Sequence, residues 1–364
     1  MSTRILSELC SIPTAPFAED RVIEYVRRFV TARRKLKLTE DRFGNLLIEL
    51  PGKPRSPRLV FVAHMDHPGL VAEKMINPRT LAARFHGGVL SEYVVGAKVR
   101  FFDQNREITG TVASTKPDAE SRAYPSSAIV KVASEVSPGS PGMFDQGTAR
   151  VEGKRFLSRV CDDLAGAASA LTMVDRLFKN PPKATIAVLL TRAEESGFIG
   201  AIASVLHPTL IRKADRILSI ECSAVQPYAP QGNGVILRVG DRTSIFNSGF
   251  MYFIHQQAET LMKRSKRFRY QRLLMPGGTC EATVFDAFGY TTGAVCVPLG
   301  NYHNMDRGKK KIGPEHINLD DWNNMVELHV QLARNIHLFQ PGNLALRERV
   351  KKRFERHKHL LGRA

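Results

Sequence analysis

Cysteine is scarce in this chain: five in 364 residues, at positions 10, 161, 222, 280 and 296, with no Cys-x-x-Cys spacing. An odd count without that spacing excludes a disulfide framework and a zinc finger, and fits a reducing cytosol. Nowhere do eighteen apolar residues run together, and the stretch from Met1 to Asp20 holds no apolar block of signal-peptide length. The expectation is therefore a cytoplasmic protein that neither spans nor is exported across a membrane. No internal repeat of solenoid length is visible, and no helix-turn-helix or RNA-recognition signature accompanies the basic segments.

What is present is a strong positive balance, 53 Lys plus Arg against 35 Asp plus Glu, for a formal charge of +18. Charge of this kind attracts nucleic acid, acidic lipid or acidic peptides alike and does not choose among them. A first amphipathic helix is expected over Glu19 to Val30, where Val22, Ile23, Val26, Phe29 and Val30 recur at helical spacing. Apolar runs at Leu59–Val62, Thr185–Leu190, Ile217–Ile220 and Ala294–Val297 read as buried strands alternating with helices, which indicates an α/β layer fold. One such helix is expected from Asp162-Asp163 through Phe178, closing before Pro181-Pro182. Between about Val71 and Ser158 the texture changes to short β-like runs, among them Lys98–Phe102 and Ile108–Val112 joined across Asp103–Arg106, as in a small inserted all-β domain. The turn-rich Ser137–Gly142 reads as a loop of that insert. After Pro341-Gly342 comes a basic segment in which Leu346, Val350, Phe354 and Leu361 line one face of a short helix, expected to be frayed or docked on a partner.

Five segments carry chemistry. The strand ending at Val62 runs into Ala63-His64-Met65-Asp66, placing a His at a strand's carboxyl end with an acid two residues on, able to orient it. By itself that pair is ordinary, since a His at a strand end is more often a satisfied structural residue. Asp162-Asp163 opens a helix, where one acid would suffice as a cap. Glu194-Glu195 follows a buried strand, and two-metal hydrolysis needs one carboxylate on a metal and another to take the proton of the attacking water. Glu221 closes an apolar strand, and His303 lies just beyond the strand at Ala294–Val297. Ligands bind outside the carboxyl ends of strands in open α/β sheets, so these segments are expected to converge on one crevice. Oxygen and imidazole donors suit zinc, cobalt or manganese.

In order, Asp41-Arg-Phe-Gly-Asn45, Ala-His64-Met-Asp66, Asp162-Asp-x-x-Gly166, Glu194-Glu195-x-Gly197, Glu221, Gly277-Gly-Thr279 and His303 resemble the tetrahedral (TET) aminopeptidases. That is metallopeptidase family forty-two, which includes deblocking and glutamyl aminopeptidases. The resemblance extends to about Phe339 and implies a three-layer α/β/α zinc-peptidase domain from residues 1–70 and 159–345. Residues 71–158 would form a barrel-like assembly domain inserted into it, leaving a basic tail at 346–364. It further implies that Asp162 bridges two divalent ions, most simply zinc, with His64 and Glu221 on one and Glu195 and His303 on the other. Glu194 would be the general base, Asp66 would orient His64, and Gly278, Thr279 and Cys280 would contact substrate. The implied reaction is hydrolysis of an amino-terminal peptide bond, carried out by a dimer-based homo-oligomer, as large as a dodecamer.

The chain departs from that pattern at His67, where the family has Glu or a similar residue, and at Leu164, where it has Arg. Gly-Gly-Thr is followed by Cys280-Glu281 instead of Asp, and Glu221 stands for the usual Asp. These changes bear on substrate choice more than on catalysis. Cys161, Cys222 and Cys280 adjoin site positions and read as small buried space-fillers. A related two-metal amidase, deacylase or carboxypeptidase keeps the same cage with another substrate. A nucleic-acid binder would rest on Lys263–Tyr270 and the tail at Lys351–Arg356, where basic residues interleave with aromatics.

Overall fold

The computed structural model describes residues 3–50, 52, 58–340 and 344–361. Helix α1 (Arg4–Leu9) leads to α2 (Asp20–Thr31), which buries the apolar stripe Val22, Ile23, Val26, Phe29 and Val30. The chain then enters the central sheet through β1 (Lys37–Glu40), β2 (Leu46–Leu50) and β3 (Leu59–His64). From β3 it leaves for a closed barrel formed by β4 (Gly69–Asn77), β5 (Thr80–His86), β6 (Lys98–Asp103), β7 (Arg106–Pro117), β8 (Pro125–Val132) and β9 (Pro141–Phe144), with short α3 (Ser91–Val94) between β5 and β6. The hairpin expected across Asp103–Arg106 is present, with those two residues paired in register. Ser137–Gly142 is only partly a loop, because Pro141 and Gly142 enter β9 and pair with β4. Gly142 is needed there: a Cβ would lie 2.6 Å from the Phe101 ring that fills the barrel.

After β10 (Arg150–Glu152) and β11 (Arg155–Ser158) the chain returns to the layered part through α4 (Leu164–Leu177) and β12 (Ile186–Thr191). There follow α5 (Ile199–Leu206), β13 (Arg216–Ala224), β14 (Val235–Gly240), α6 (Ser248–Arg264), β15 (Tyr270–Leu274), α7 (Glu281–Ala287), β16 (Thr291–Leu299) and α8 (Leu319–Asn335). The eight-stranded sheet has the order β1-β2-β12-β3-β13-β16-β14-β15. Its centre, β12-β3-β13-β16, is parallel throughout, so four strands end on one edge.

Both faces of that centre are covered, which explains why its strands read as unbroken apolar runs. Phe61, Ala63, Val188, Leu190, Leu218 and Ile220 face a large core shared with α2, α4, α6 and α8. Their alternates Val60, Val62, Ala187, Leu189 and Ile217 face α5 and α7 through Ala201, Val205, Val284 and Phe285. Helix, sheet and helix therefore form three layers, with a barrel filled by its own core of Leu81, Phe85, Val99, Phe101, Val130 and Phe144. Trp322 pins α8 to α4 by donating its indole N–H to the Ala165 carbonyl at 2.9 Å.

Beyond residue 343, α9 (Leu344–His357) is helical, and Val350, Phe354 and Leu361 are exposed. Pro341, Gly342 and the last three residues of the basic tail lie outside the described residues. In the other basic segment, Phe268 is buried and Tyr270 is half-buried against His255. No helix among the described residues is long and apolar enough to cross a membrane.

Candidate metal centre

Each expected donor stands at the edge where the parallel strands end. His64 is the last residue of β3, Glu221 is near the end of β13, and Glu194-Glu195 form a single 3-10 turn three residues past β12. His303 sits in a short turn after β16, and Asp162 precedes α4. The two acids before α4 are not side-chain caps: Asp163 holds the cap position without a capping hydrogen bond, and the Asp162–Asp163 peptide is cis. Gly166 is required beside them, since a Cβ there would lie 2.1 Å from Asp163 Oδ1.

Asp162 is central. Its Oδ1 lies 3.7 Å from His64 Nε2 and its Oδ2 3.6 Å from His303 Nε2, so one carboxylate faces two imidazoles. Glu195 Oε1 is 3.2 Å from His303 Nε2, and Glu194 Oε2 is 3.8 Å from His64 Nε2. Donor atoms of His64, Asp162 and Glu221 all lie within 4.8 Å of one another, as do those of Asp162, Glu195 and His303. Two ligand sets therefore share Asp162. Other groupings of equal tightness are His64-Glu194-Glu195 and Asp162-Asp163-Cys222.

The imidazoles are oriented from behind. His303 Nδ1 is 3.0 Å from the Gly88 carbonyl, and His64 Nδ1 is 3.2 Å from the Asp66 carbonyl, so in each ring Nδ1 donates to a carbonyl and Nε2 faces inward. Asp66 does more than orient His64. Its Oδ1 accepts the Glu194 N–H and its Oδ2 the Glu195 N–H, both at 3.0 Å. On the other side of the same turn, Glu19 accepts the Ala193 N–H at 2.9 Å and an Arg192 N–H at 2.8 Å. Ala193 has a left-handed φ of 50°, a conformation costly for a residue with a Cβ and held here by these two carboxylates.

Sequence reasoning missed two supports besides Glu19, and one buried acid. Glu315 accepts the Cys161 and Asp162 N–H groups at 2.7 and 3.1 Å on one oxygen and the His303 N–H at 2.8 Å on the other, tying both halves of the cage together. His67, known from sequence only as a departure, has Nδ1 2.8 Å from the Asp162 carbonyl and Nε2 3.0 Å from Asn304 Oδ1. Glu281 is fully buried, and neither carboxylate oxygen has a hydrogen-bond partner among the described residues.

Burial and mutual repulsion set the proton affinities. Burial, with Asp162 adding and His64 opposing, pushes the Glu221 carboxyl up to about 8. Glu194 is raised well above the carboxylate range by burial, with Glu195 and Glu221 adding to it. Burial opposes charge on His64 and His303, yet the surrounding carboxylates outweigh it and raise both well above 6.5. Excess buried negative charge of this kind is what divalent cations offset. The donor set fits such ions on another count: Asp162 Oδ1, Glu221 Oε1 and His303 Nε2 are buried without a hydrogen-bond partner among the described residues.

A cleft opens beside the cage. It is lined by His64, Asp162, Glu194, Glu195 and Glu221 together with Ser223, Arg238, Met275, Gly278 and Thr279. Cys280 is set behind it, with its backbone N–H 3.0 Å and its thiol 3.5 Å from Asp241 Oδ2. All five cysteines are buried, and burial pushes the thiols of Cys161, Cys222 and Cys280 up.

A three-layer sheet carrying carboxylates and imidazoles at one edge, with a barrel inserted after the first His, is an arrangement able to hold divalent ions. The chain belongs to the M42 glutamyl aminopeptidase family, whose model matches residues 44–328. A relative from Acetivibrio thermocellus is 23% identical over 329 residues, covering 86% of this chain and 91% of its own length. A lysyl aminopeptidase of Pyrococcus furiosus is 32% identical over a local stretch of 77 residues, 21% of this chain and 22% of that protein. Among solved structures, the TET1 peptidase of Pyrococcus horikoshii, described as assembling into a tetrahedron or a large octahedral shell, superposes with a TM-score of 0.74. It has 22% identity over 91% of this chain and 98% of that one.

Proposed function

We propose that the protein is an aminopeptidase working with two divalent metal ions, most simply zinc, that share Asp162. The observation that carries this reading is the pair of ligand sets, His64-Asp162-Glu221 and Asp162-Glu195-His303, with Asp162 presenting one oxygen to each histidine. When bound, the ions would polarise the scissile carbonyl and make water a stronger nucleophile at neutral pH.

Glu194 stands at the mouth of the cage as the carboxylate left for proton transfer. It takes the proton of the attacking water and returns it to the leaving amine. Asp66 fixes the Glu194-Glu195 turn and the tautomer of His64, while Glu315 fixes Asp162 against His303. Gly278 and Thr279 also line the cleft and would contact the substrate. Residues 1–70 and 159–345 make the peptidase unit on this reading, 71–158 serve assembly, and the 346–364 tail is an addition. The likeness to a self-assembling peptidase supports a homo-oligomer.

Aminoacyl-anilides with added zinc, cobalt or manganese test the reading. Free-amine substrates are expected to be cut and their N-acetylated counterparts left intact. Equal cleavage of both, or cleavage only from a carboxyl end, refutes it in favour of an amidase or carboxypeptidase.

A further inference from the structure

Helix α9 takes no part in the proposed chemistry. The family model ends at residue 328, and α9, closed by a 3-10 turn at Lys358–Leu360, lies beyond it. Every residue from Arg347 to Leu361 is exposed. Large apolar side chains are among them: Val350 is 59% and Phe354 54% exposed, and Leu360 and Leu361 are more exposed still. A helix of this length without a packed face is marginal in water, so α9 presents a surface that calls for a partner.

Its residues are sorted by side. At 3.6 residues per turn, Leu346, Val350 and Phe354 fall within a sector of about 80°. Arg353 borders that sector on one side and Arg347 on the other, each about 20° beyond its edge. Glu348 and Glu355, the acids of this segment, lie on the far side of the helix. Each is already held by a lysine, with Lys351 Nζ 3.0 Å from Glu348 Oε1 and Lys358 Nζ 2.7 Å from Glu355 Oε2. Arg347, Arg349, Lys352, Arg353 and Arg356 are left without an ion pair among the described residues. The result is an apolar stripe edged by cations, with its acids turned away.

We propose that α9 and its closing turn form a peripheral anchor that lays the peptidase against a bilayer surface rich in anionic lipid. In that plane the stripe of Leu346, Val350 and Phe354 enters the acyl boundary, while the bordering arginines extend their aliphatic stems and keep their guanidinium groups among the headgroup phosphates. Unpaired cations near such a surface add to the attraction one by one. The attachment lies along the membrane and does not span it, since no helix among the described residues is long and apolar enough to cross. A second copy of α9 is a poorer match. Continuing the Leu346-Val350 spacing as a heptad puts Arg353 and His357 in the seam, and pairing brings like charge against like. Nucleic acid would use the cations and could stack on Phe354, but it leaves Val350, Leu360 and Leu361 uncovered. The anchor is independent of what the cleft hydrolyses.

The test floats the full-length protein with vesicles of phosphatidylcholine alone and of phosphatidylcholine mixed with phosphatidylglycerol. Binding is expected to the mixed vesicles only, to weaken with added salt, and to protect the amides of α9 from hydrogen exchange. Each cation near an anionic surface is worth roughly fivefold in partitioning, so Arg349→Gln combined with Arg353→Gln should lower it roughly tenfold to thirtyfold. Phe354→Asp should abolish it. Both variants should keep the parent's melting temperature, because the altered side chains are exposed. Equal binding to both kinds of vesicle, or binding to neither, overturns the proposal. So does a parent protein that ignores vesicles and binds single-stranded RNA, which makes α9 a nucleic-acid contact. A Phe354→Asp protein that floats like the parent overturns it as well, and one of smaller mass in solution assigns the stripe to contact between copies.

Discussion

Replacing Asp66 by Asn removes one formal charge and exchanges one oxygen for an NH2 group at nearly constant volume. The side chain is fully buried, and both oxygens are engaged: Oδ1 by the Glu194 N–H and Oδ2 by the Glu195 N–H, each at 3.0 Å. An asparagine can accept only one of these. In either orientation its NH2 group confronts a backbone N–H, so one donor of the Glu194-Glu195 turn loses its acceptor. Hydrogen bonds to charged groups contribute about 1.5–3 kcal/mol, and an unsatisfied buried donor costs about 1–3 kcal/mol. Because these overlap in one contact, about 3 kcal/mol is a reasonable central figure, or about a hundredfold in an equilibrium constant. That cost falls on the turn carrying both the proposed metal ligand Glu195 and the proposed proton-transfer group Glu194, and it is compounded at His64, whose Nδ1 lies 3.5 Å from Asp66 Oδ1. Asp66→Asn should therefore weaken metal affinity by roughly 10–100-fold, the usual effect of altering a group that orients ligands. It should also lower kcat at saturating metal. Metal titration with a competing chelator, followed by kcat on an anilide substrate, measures both. Metal affinity and kcat indistinguishable from the parent's would refute the view that Asp66 holds the turn.

Glu194→Gln should retain metal, measured by atomic emission, while kcat falls about 10²–10⁴-fold, the range for loss of a general base; unchanged turnover would remove Glu194 from that role. Glu315→Gln should lower both metal content and the melting temperature, because its amide cannot accept from Cys161, Asp162 and His303 together; a fully metallated, equally stable variant counts against it. Stability of chelator-treated protein should fall as pH rises from about 4.5 to about 8. Glu221 and Glu281 are held by burial at about 8 and about 7 against an ordinary 4.5, so across that window the native state binds protons the unfolded chain has released. His64 and His303, also raised, act in the same sense, losing their stabilising charge as pH climbs. Scanning calorimetry with and without zinc checks it: metal should remove most of the slope, and a melting temperature of the metal-free protein that rises across the window contradicts the assignment.

The proposed ligands were legible because of where parallel strands end. Leu59–Val62 and its counterparts at Thr185–Leu190, Ile217–Ile220 and Ala294–Val297 are apolar on both faces, which marks central strands, and each is followed closely by a donor. Once those strands are parallel, the donors share an edge whatever their separation in sequence. The barrel was legible for a similar reason, since period-two patterning over short runs has few solutions other than closure or an exposed edge.

The supports were hidden because their partners are backbone atoms. Glu315 and Glu19 act by accepting main-chain N–H groups from segments far away in sequence, and nothing in the residue types of those segments records the contact. His67 escapes notice likewise, one ring nitrogen meeting the Asp162 carbonyl and the other the Asn304 side-chain amide, supplied by a loop with left-handed φ angles. Arg238 differs, because a signal was present in Val235-Ile-Leu-Arg-Val239, where one cation interrupts an apolar run. In a two-sided sheet such a residue has no solvent to reach, so it must meet an anion or line a cavity. Arg238 does both: it lies 3.9 Å from Asp241 Oδ2 and hydrogen-bonds two neutral oxygens, and the cavity it lines is the one that holds the cage. A charge in the middle of a buried strand is thus as informative as a donor at its end: the end locates the donors, and the interruption locates a strand that lines their cavity.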